Sequence, residues 1–453
     1  MIDFICALCY NKKNKPKVKS LLLTPFTKEK SAEGSAGKDK IMDFKLLIIV
    51  ILIIHTLYSV ILNLFKRRSA TNPTPDNVKD VYDDESYKKW RAYNAEHSRL
   101  DLISSVASGA VNLVLLITNV YSAFASLFPG EFVWQALAVV LLDTLVSEIV
   151  GLGFSYYSTF VIEEKYGFNK STLKTFVIDK IRGFIIGFIF MMFLSMLLGL
   201  LHTWLGDALI ILFTAVMFLF GLLISFLYPI FSGIGNKFTP LEEGELRTKL
   251  MELLTSHGYK VGEIQVMDAS RRTTKLNAYF SGFGSTKTIV LYDNLVNAMT
   301  TDEICAVFAH ELGHGINRDT IKLQTMNIVN FLIMAIMAWV SVSFPAMHAA
   351  FGFTGINYGF AIVLTGIFLA LVNPIGAMAI NAYSRKAEYR ADKQAVTEGY
   401  GEAIIVALKK LAKENFAELA PTRISVLLEY SHPPLADRIA AIERTKKDKE
   451  SQK

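Results

Sequence analysis

The chain has 453 residues, which by length alone would suit two or three soluble domains. However, 52% of its residues are hydrophobic and only 19% are charged, which excludes an ordinary soluble protein and favours one embedded in a bilayer. The net charge of +6 does not indicate a nucleic-acid partner, because Lys and Arg are concentrated in alternate loops between apolar segments. Three cysteines exclude a disulfide framework.

Residues 1–40 form a Lys-rich tail, with nine Lys against four acidic residues and no apolar periodicity, and are predicted to be disordered. Cys6 and Cys9 have the spacing of half a zinc site, but no second pair completes it, and acylation of either is the alternative. A seven-span topology with a cytoplasmic C-terminus would place this basic tail in the lumen, against the usual charge bias. We therefore expect that the mature protein begins near Met42 or that the tail takes no part in catalysis.

Seven apolar segments are long enough to cross a bilayer. They are residues 41–65, 100–124, 132–154, 181–201, 208–229, 326–343 and 358–378. Basic residues are frequent in the loops 66–99, 163–182 and 233–322 and after 385, and scarce in the loops between these. This pattern predicts a cytoplasmic position for the 233–322 loop and for the C-terminus.

Polar residues interrupt the predicted spans. Asp143 and Glu148 lie within six residues of each other in the third segment. Ionisable groups in hydrocarbon are costly and usually face partners or water, so they suggest a hydrated interior. An ordinary interhelical hydrogen-bond network is the alternative. The other polar residues of the spans are Asn112, Asn119, Ser147, Asn373 and Asn381.

The soluble parts are predicted to be a loop at 233–322, between the fifth and sixth spans, and a C-terminal helical part at 384–453. The first five spans occupy 41–232, and the last two occupy 323–383. Hydrophobic periodicity and turn residues predict the elements of the soluble parts. These are helices at 242–256, 402–415 and 436–444, strands at 264–267, 277–280 and 288–292, and a capped helix that starts at Thr300.

The clearest chemical signal is the run His310-Glu311-Leu312-Gly313-His314. In a helix, two His four residues apart lie on one face, where they can hold one Zn²⁺ while the intervening Glu acts on a water at the open position. Apolar Ile304 and Phe308 give the preceding turns a buried face. The alternative is a pair of solvated surface histidines.

A catalytic zinc site needs a third protein ligand, and Glu388 is the best candidate, 388 − 314 = 74 residues beyond His314. Asp392 follows one helical turn later on the same face, where it could accept a proton from a ligating His. The surrounding Arg, Lys and Glu residues would equally suit a charged surface helix, and spacing alone leaves both readings open.

Six motifs, in order and with consistent spacing over residues 66–444, resemble the Ste24-type CAAX prenyl proteases, which are integral membrane zinc metalloproteases of the gluzincin class. The motifs are YSTFVIEEKYGFN at 157–169, FTP at 238–240, NAYF at 277–280, HELGH at 310–314, RKAEYRAD at 385–392 and HPPLADR at 432–438. The resemblance does not extend to the tail before Met42.

The resemblance implies a mostly α-helical multi-pass membrane protein, with seven transmembrane helices in a barrel around a water-filled chamber and a zinc protease domain that includes a small β-sheet. It implies one Zn²⁺ per chain, with His310, His314 and Glu388 as ligands. Glu311 would then act as general base and acid, and His432 would hydrogen-bond the oxyanion. Asp392 and Arg438 would stand behind the ligands, Arg438 either bracing the site or holding a substrate carboxylate.

The implied activity is removal of the last three residues from prenylated CAAX proteins, whose tails would lie along Asn277, Ala278 and Tyr279. The expected setting is the endoplasmic reticulum membrane, with membrane lipid around a monomer and the active-site loops facing the cytoplasm. Two alternatives remain: a stress-type membrane metalloprotease that clears misfolded membrane proteins, and a catalytically inactive channel or scaffold.

Overall fold

The computed structural model describes residues 34–128, 130, 132–232, 236–281 and 286–451, so the predictions for Cys6 and Cys9 lie outside the described residues. The helices are α1 Gly34–Ser69, α2 Asp84–Ile117, α3 Val120–Ala125, α4 Phe132–Tyr157, α5 Leu173–Leu205, α6 Leu209–Ser232, α7 Glu245–Ser256, α8 Asp293–Ala298, α9 Thr301–Ile316, α10 Asp319–Ser343, α11 Pro345–Ala350, α12 Tyr358–Thr397, α13 Gly401–Glu414, α14 Arg423–Glu429 and α15 Leu435–Ser451. The strands are β1 Phe238–Pro240, β2 Lys260–Met267, β3 Ala278–Ser281 and β4 Thr286–Tyr292.

Six helical spans in the described part of the chain are long and apolar enough to cross a bilayer, as a multi-pass membrane protein requires. They are Asp43–Ser69, Asp84–Ile117, Val133–Glu163, Leu173–Ser225, Asp319–Ser343 and Tyr358–Thr397. Their surfaces are apolar: Ile211 is 77% exposed, and Ile149 and Ile375 are each 69% exposed. Exposed aliphatic side chains at this density would be unfavourable in water and suit contact with lipid.

The predicted fourth and fifth segments both fall within the 53-residue span Leu173–Ser225. A straight helix of that length would extend about 80 Å, well beyond the roughly 30 Å of a hydrocarbon core. The span instead comprises α5 and α6, which are separated by a short 3₁₀ turn at Gly206–Ala208. The rings of Phe190 and Phe220 stack 5.3 Å apart across the two helices, so α5 and α6 form a hairpin.

Several polar residues of the spans have partners within the protein. The hydroxyl of Tyr121 donates a hydrogen bond to Asp143 at 2.7 Å, and Lys45 Nζ donates to Asn119 Oδ1 at 2.8 Å. For Asp143 and Asn119 the structure therefore supports the hydrogen-bond network that was the alternative to a hydrated interior.

The small sheet has the strand order β1-β2-β4-β3, with β2 and β4 parallel and the two outer strands antiparallel to their neighbours. The three predicted strands are confirmed, each displaced or extended by a few residues, whereas β1 was not predicted because its three residues include a proline. Residues 278–281 of β3 pair with 288–291 of β4, which leaves β3 at one edge of the sheet.

The sheet packs on α9, and α9 packs on the long helix α12. Ile289 and Leu291 of β4 share a buried cluster with Ile304, Phe308 and Leu312 of α9. Helix α12 has 40 residues: its first half is an apolar span, and its second half carries the charged motif at 385–392. One continuous helix thus extends from a membrane span to the HELGH helix, and its second half places charged side chains there.

Candidate metal centre

The orientation of α9 is established at its first turn. Thr300 Oγ1 accepts a hydrogen bond from the Glu303 amide, and Glu303 Oε2 accepts one from the Thr300 amide at 2.9 Å, which completes the predicted capping box. Lys410 also donates to Glu303, at 2.7 Å. Further along the same helix, His310 and His314 lie on one face with ring centroids 4.9 Å apart.

Gly313 allows α12 to approach this face closely. A Cβ at position 313 would lie 2.8 Å from the Cα of Ala391, so any larger residue would push the two helices apart. At this separation Glu388 reaches both histidines: its Oε2 is 3.4 Å from His310 Nε2, and its Oε1 is 3.3 Å from His314 Nε2. Residues 74 positions apart in sequence thus converge.

The other nitrogen of each imidazole is held by a buried carboxylate. Nδ1 of His310 lies 2.9 Å from Asp392, and Nδ1 of His314 lies 3.1 Å from Asp319. A neutral imidazole that donates from Nδ1 keeps its lone pair on Nε2, so in the neutral form both histidines direct an acceptor nitrogen into the centre.

Sequence reasoning missed Asp319. The residue follows Arg318, which has a positive φ of 54° and lies in the short turn between α9 and α10. Besides His314, Asp319 accepts hydrogen bonds from Tyr383 at 2.8 Å and from Arg390 at 2.7 Å. The available signal was an acidic residue at the start of the next helix, five positions after His314.

Arg438 lies behind the ligands and is buried. Its Nε and Nη2 donate to the two oxygens of Asp392 at 2.9 and 2.6 Å, and its Nη1 is 3.4 Å from Glu388 Oε2. A forked pair of this kind fixes the carboxylate in both position and orientation. The guanidinium therefore already has partners among the side chains of the centre.

The three candidate ligands fit a divalent metal ion. One ligand atom from each of His310, His314 and Glu388 lies within 4.8 Å of the others. Glu388 Oε2 is buried and accepts no hydrogen bond in the described part of the chain, although an oxygen in that position normally has a partner. Two imidazole nitrogens and one carboxylate are the ligand set of many catalytic zinc sites.

A cavity of about 270 Å³ opens beside this cluster. One wall carries polar groups, among them Glu311 and His432. The side chain of His432 is 62% exposed, and its Nε2 lies 3.3 Å from Glu388 Oε1. Apolar side chains also line the cavity, and they are those of Leu295, Val307, Ile404, Leu408 and Leu411.

The predicted substrate-binding residues have different surroundings. Asn277, which precedes β3, and Ala278, its first residue, line the cavity, whereas Tyr279 points to the other face of the strand from Ala278 and packs in the cluster of Met267 and Val290. The cavity thus combines an edge strand, three residues that could hold a metal ion and a further carboxylate, that of Glu311. In a chain with six apolar spans, this geometry defines an integral membrane metallopeptidase.

Comparison with known proteins identifies the family within this class. Residues 64–232 match the model described as CAAX prenyl protease N-terminal, five membrane helices, and residues 240–446 match peptidase family M48. The chain belongs to the M48 family and to its CAAX prenyl protease branch, as the six motifs indicated.

Similar proteins cover nearly the whole chain. A CAAX prenyl protease 1 homolog of Arabidopsis thaliana is 31% identical over 414 residues, which are 86% of this chain and 96% of the relative. CAAX prenyl protease 1 of Saccharomyces cerevisiae is 31% identical over 412 residues, 83% of this chain and 90% of that protein. The crystal structure of S. mikatae Ste24p superposes with a TM-score of 0.81 at 27% identity, covering 88% of this chain and 99% of that one.

Proposed function

We propose that this protein is a zinc-dependent endopeptidase that removes the last three residues from prenylated CAAX proteins. The observation that carries the proposal is the convergence of His310, His314 and Glu388 beside Glu311, in a cavity bordered by an edge strand. The relatives named CAAX prenyl protease support the substrate class.

One Zn²⁺ per chain would be held by His310 Nε2, His314 Nε2 and Glu388. A bound zinc ion supplies Lewis acidity, which acidifies a coordinated water and polarises a carbonyl oxygen. By accepting hydrogen bonds from Nδ1 of the two histidines, Asp392 and Asp319 would leave both Nε2 lone pairs available to such an ion.

Glu311 is proposed to act as general base and then as general acid. Its carboxylate takes a proton from the attacking water and returns that proton to the departing amine. His432 is proposed to donate a hydrogen bond to the oxyanion of the tetrahedral intermediate. The exposed side chain of His432 on the cavity wall supports this role.

The substrate is proposed to bind as an additional antiparallel strand along the edge of β3, with its backbone beside Asn277 and Ala278. Tyr279 points away from the cavity, so we assign it a packing role beside that strand. The apolar lining that contains Leu408 and Leu411 suits the aliphatic residues of a CAAX tail.

Two roles were open for Arg438, and we favour the bracing role. A residue that held the substrate carboxylate would need donors free to face the cavity. The guanidinium borders the cavity, but its side chain is only 11% exposed, and its forked pair with Asp392 and its contact with Glu388 direct donors from all three of its nitrogens to the centre.

For the membrane part we propose seven transmembrane helices in a barrel around a water-filled chamber. The hairpin of α5 and α6 supports the count, because it divides the span Leu173–Ser225 into two crossings. The chain would then divide into spans at 41–232 and 323–383 and zinc-protease parts at 233–322 and 384–453. We expect a monomer in endoplasmic reticulum lipid, and the charge pattern supports a cytoplasmic position for the zinc-protease parts.

The test is cleavage of a prenylated CAAX peptide by the purified full chain, with and without a chelator. Release of the tripeptide that stops on chelation and returns with zinc supports the proposal. Cleavage of unprenylated misfolded membrane proteins alone would favour the stress-type protease, and binding of less than one zinc per chain with no cleavage would favour a channel or scaffold.

The variant Glu311→Gln should retain one zinc per chain and lose turnover by roughly a thousandfold or more, because the ligands remain and the general base is removed. Elemental analysis measures the zinc content, and kcat measured on the same preparation gives the turnover. Loss of zinc from this variant, or retained turnover, would contradict the assigned role.

A further inference from the structure

The motif at 157–169 is the longest of the six, yet none of the described residues that line the catalytic cavity comes from it. Its first half is a π-helical turn, Ser158–Glu163, that follows directly on α4. Such turns insert an extra residue into a helix, which re-aims the side chains after it, and they recur at functional sites. Glu163 is the last residue of the turn.

Glu163 joins three separate parts of the chain. Its Oε1 accepts a hydrogen bond from the hydroxyl of Tyr93 on α2 at 2.7 Å and one from Lys275 Nζ at 3.2 Å. Nε2 of His97 lies 3.2 Å from the same oxygen. The carboxylate is only 19% exposed, so these contacts are poorly screened by solvent.

Lys275 is held by more than the carboxylate. Its Nζ also donates to the hydroxyl of Tyr93 at 3.1 Å and lies 4.9 Å from the centroid of the Phe168 ring. An ammonium above an aromatic face adds a cation–π attraction to the ion pair. These partners of Lys275 thus come from α2 or from the 157–169 motif.

The backbone around Lys275 is fixed on both sides. The amide of Lys170 donates to the carbonyl of Arg272 at 3.0 Å, so the end of the motif runs beside residues 272–274. On the other side, Asn415 makes two hydrogen bonds to Leu276, accepting from its amide at 2.9 Å and donating to its carbonyl at 3.0 Å. Asn277 is the next residue, at the start of the proposed substrate edge.

We infer that Glu163 and Lys275 are positioning residues for the substrate-binding edge of β3. The inference rests on the proposed function, in which the peptide pairs with this edge. Neither residue lines the catalytic cavity in the described part of the chain, so both act through the backbone of residues 275–277. The pair connects α2 and the π-helical turn to the backbone that leads into β3, and it thereby helps to fix the position of the β3 edge relative to the candidate metal ligands.

An edge strand binds substrate and transition state alike, so loosening it should raise KM more than it lowers kcat. In Glu163→Gln and in Lys275→Met we expect KM for a prenylated peptide to rise roughly tenfold or more, with zinc content unchanged. The double variant should be no worse than either single one, because the two residues act as one unit. Lys275→Arg retains the cation and should recover most of the loss.

The matched control is Lys165→Met, which removes an exposed ion pair with Glu96 from the same motif. This variant should leave KM within about twofold of the wild type, because exposed pairs contribute little. An equal effect of Lys165→Met and Lys275→Met would overturn the inference, since removal of any charge in or beside the motif would then suffice.

Hydrogen–deuterium exchange on the full chain supplies a readout that is independent of activity. Glu163→Gln and Lys275→Met should speed exchange in residues 276–281 and leave α9 protected. Unchanged exchange in 276–281 together with unchanged KM overturns the inference, as does equally faster exchange in α9, which indicates general destabilisation. A wild-type chain that cleaves no prenylated peptide refutes the proposed function alone, and the exchange pattern still decides the positioning role.

Discussion

The substitution Asp319→Asn tests whether the second histidine of the centre depends on its buried carboxylate. Asp319 is 2% exposed; its Oδ2 faces His314 Nδ1, and its Oδ1 accepts from Tyr383 and Arg390. Because Arg390 can only donate, the oxygen of the introduced amide should face Arg390, which turns the amide nitrogen towards His314. His314 would then accept at Nδ1 and carry its proton on Nε2, the atom needed for the metal.

Changes to the hydrogen-bond partners of metal-ligating histidines typically cost ten- to a hundredfold in metal affinity, which corresponds to about 1.4 to 2.7 kcal/mol. Zinc affinity measured by competition with a chromogenic chelator should therefore fall by this amount in Asp319→Asn. Two control variants should each keep a zinc affinity within about threefold of the wild type. Asp302→Asn is an exposed acid-to-amide change on the same helix as His314, and Tyr383→Phe leaves the carboxylate of Asp319 in place. An Asp319→Asn protein that binds zinc within twofold of the wild type would refute the tautomer argument.

Three further outcomes are expected. Glu388→Ala should bind far less than one zinc per chain by elemental analysis, because two ligands hold the ion much less tightly than three; full occupancy would mean that the third ligand lies elsewhere. His432→Ala should lower kcat much more than it raises KM, since a hydrogen bond to the oxyanion strengthens in the transition state; a change confined to KM would assign His432 to substrate binding alone. Burial lowers the pKa of His310, but the neighbouring carboxylates of Asp392 and Glu388 outweigh this effect and raise the pKa to about 9 in the metal-free protein. Zinc must displace that proton, so zinc affinity measured by chelator competition should rise between pH 6.5 and 9. Protonated His310 contributes its full stabilisation to the metal-free protein below pH 6.5, and this contribution should be lost over the same interval. An affinity that does not change over that interval would contradict this assignment.

The sequence by itself was sufficient for features that depend on local pattern. The capping box at Thr300, the helical spacing of His310 and His314, the strand predicted at 277–280 and the apolar spans all follow from periods of 3.6 or 2 and from turn residues. These signals are local because each depends on residues within one or two turns of each other. The six motifs were also sufficient to indicate the family, because their order and spacing can be compared without knowledge of the fold.

Only the tertiary structure decided which distant side chains meet. Spacing alone did not distinguish Glu388 as a metal ligand from Glu388 as a residue of a charged surface helix. Its approach to His310 depends on the close crossing of α9 and α12 at Gly313. Asp319 was missed because its contact with His314 depends on the turn at Arg318, where the backbone has a positive φ, and no hydrophobic period encodes that turn. Helix crossings and reversals are determined by packing between elements, so the partners of the metal ligands could be read only after the elements were placed together.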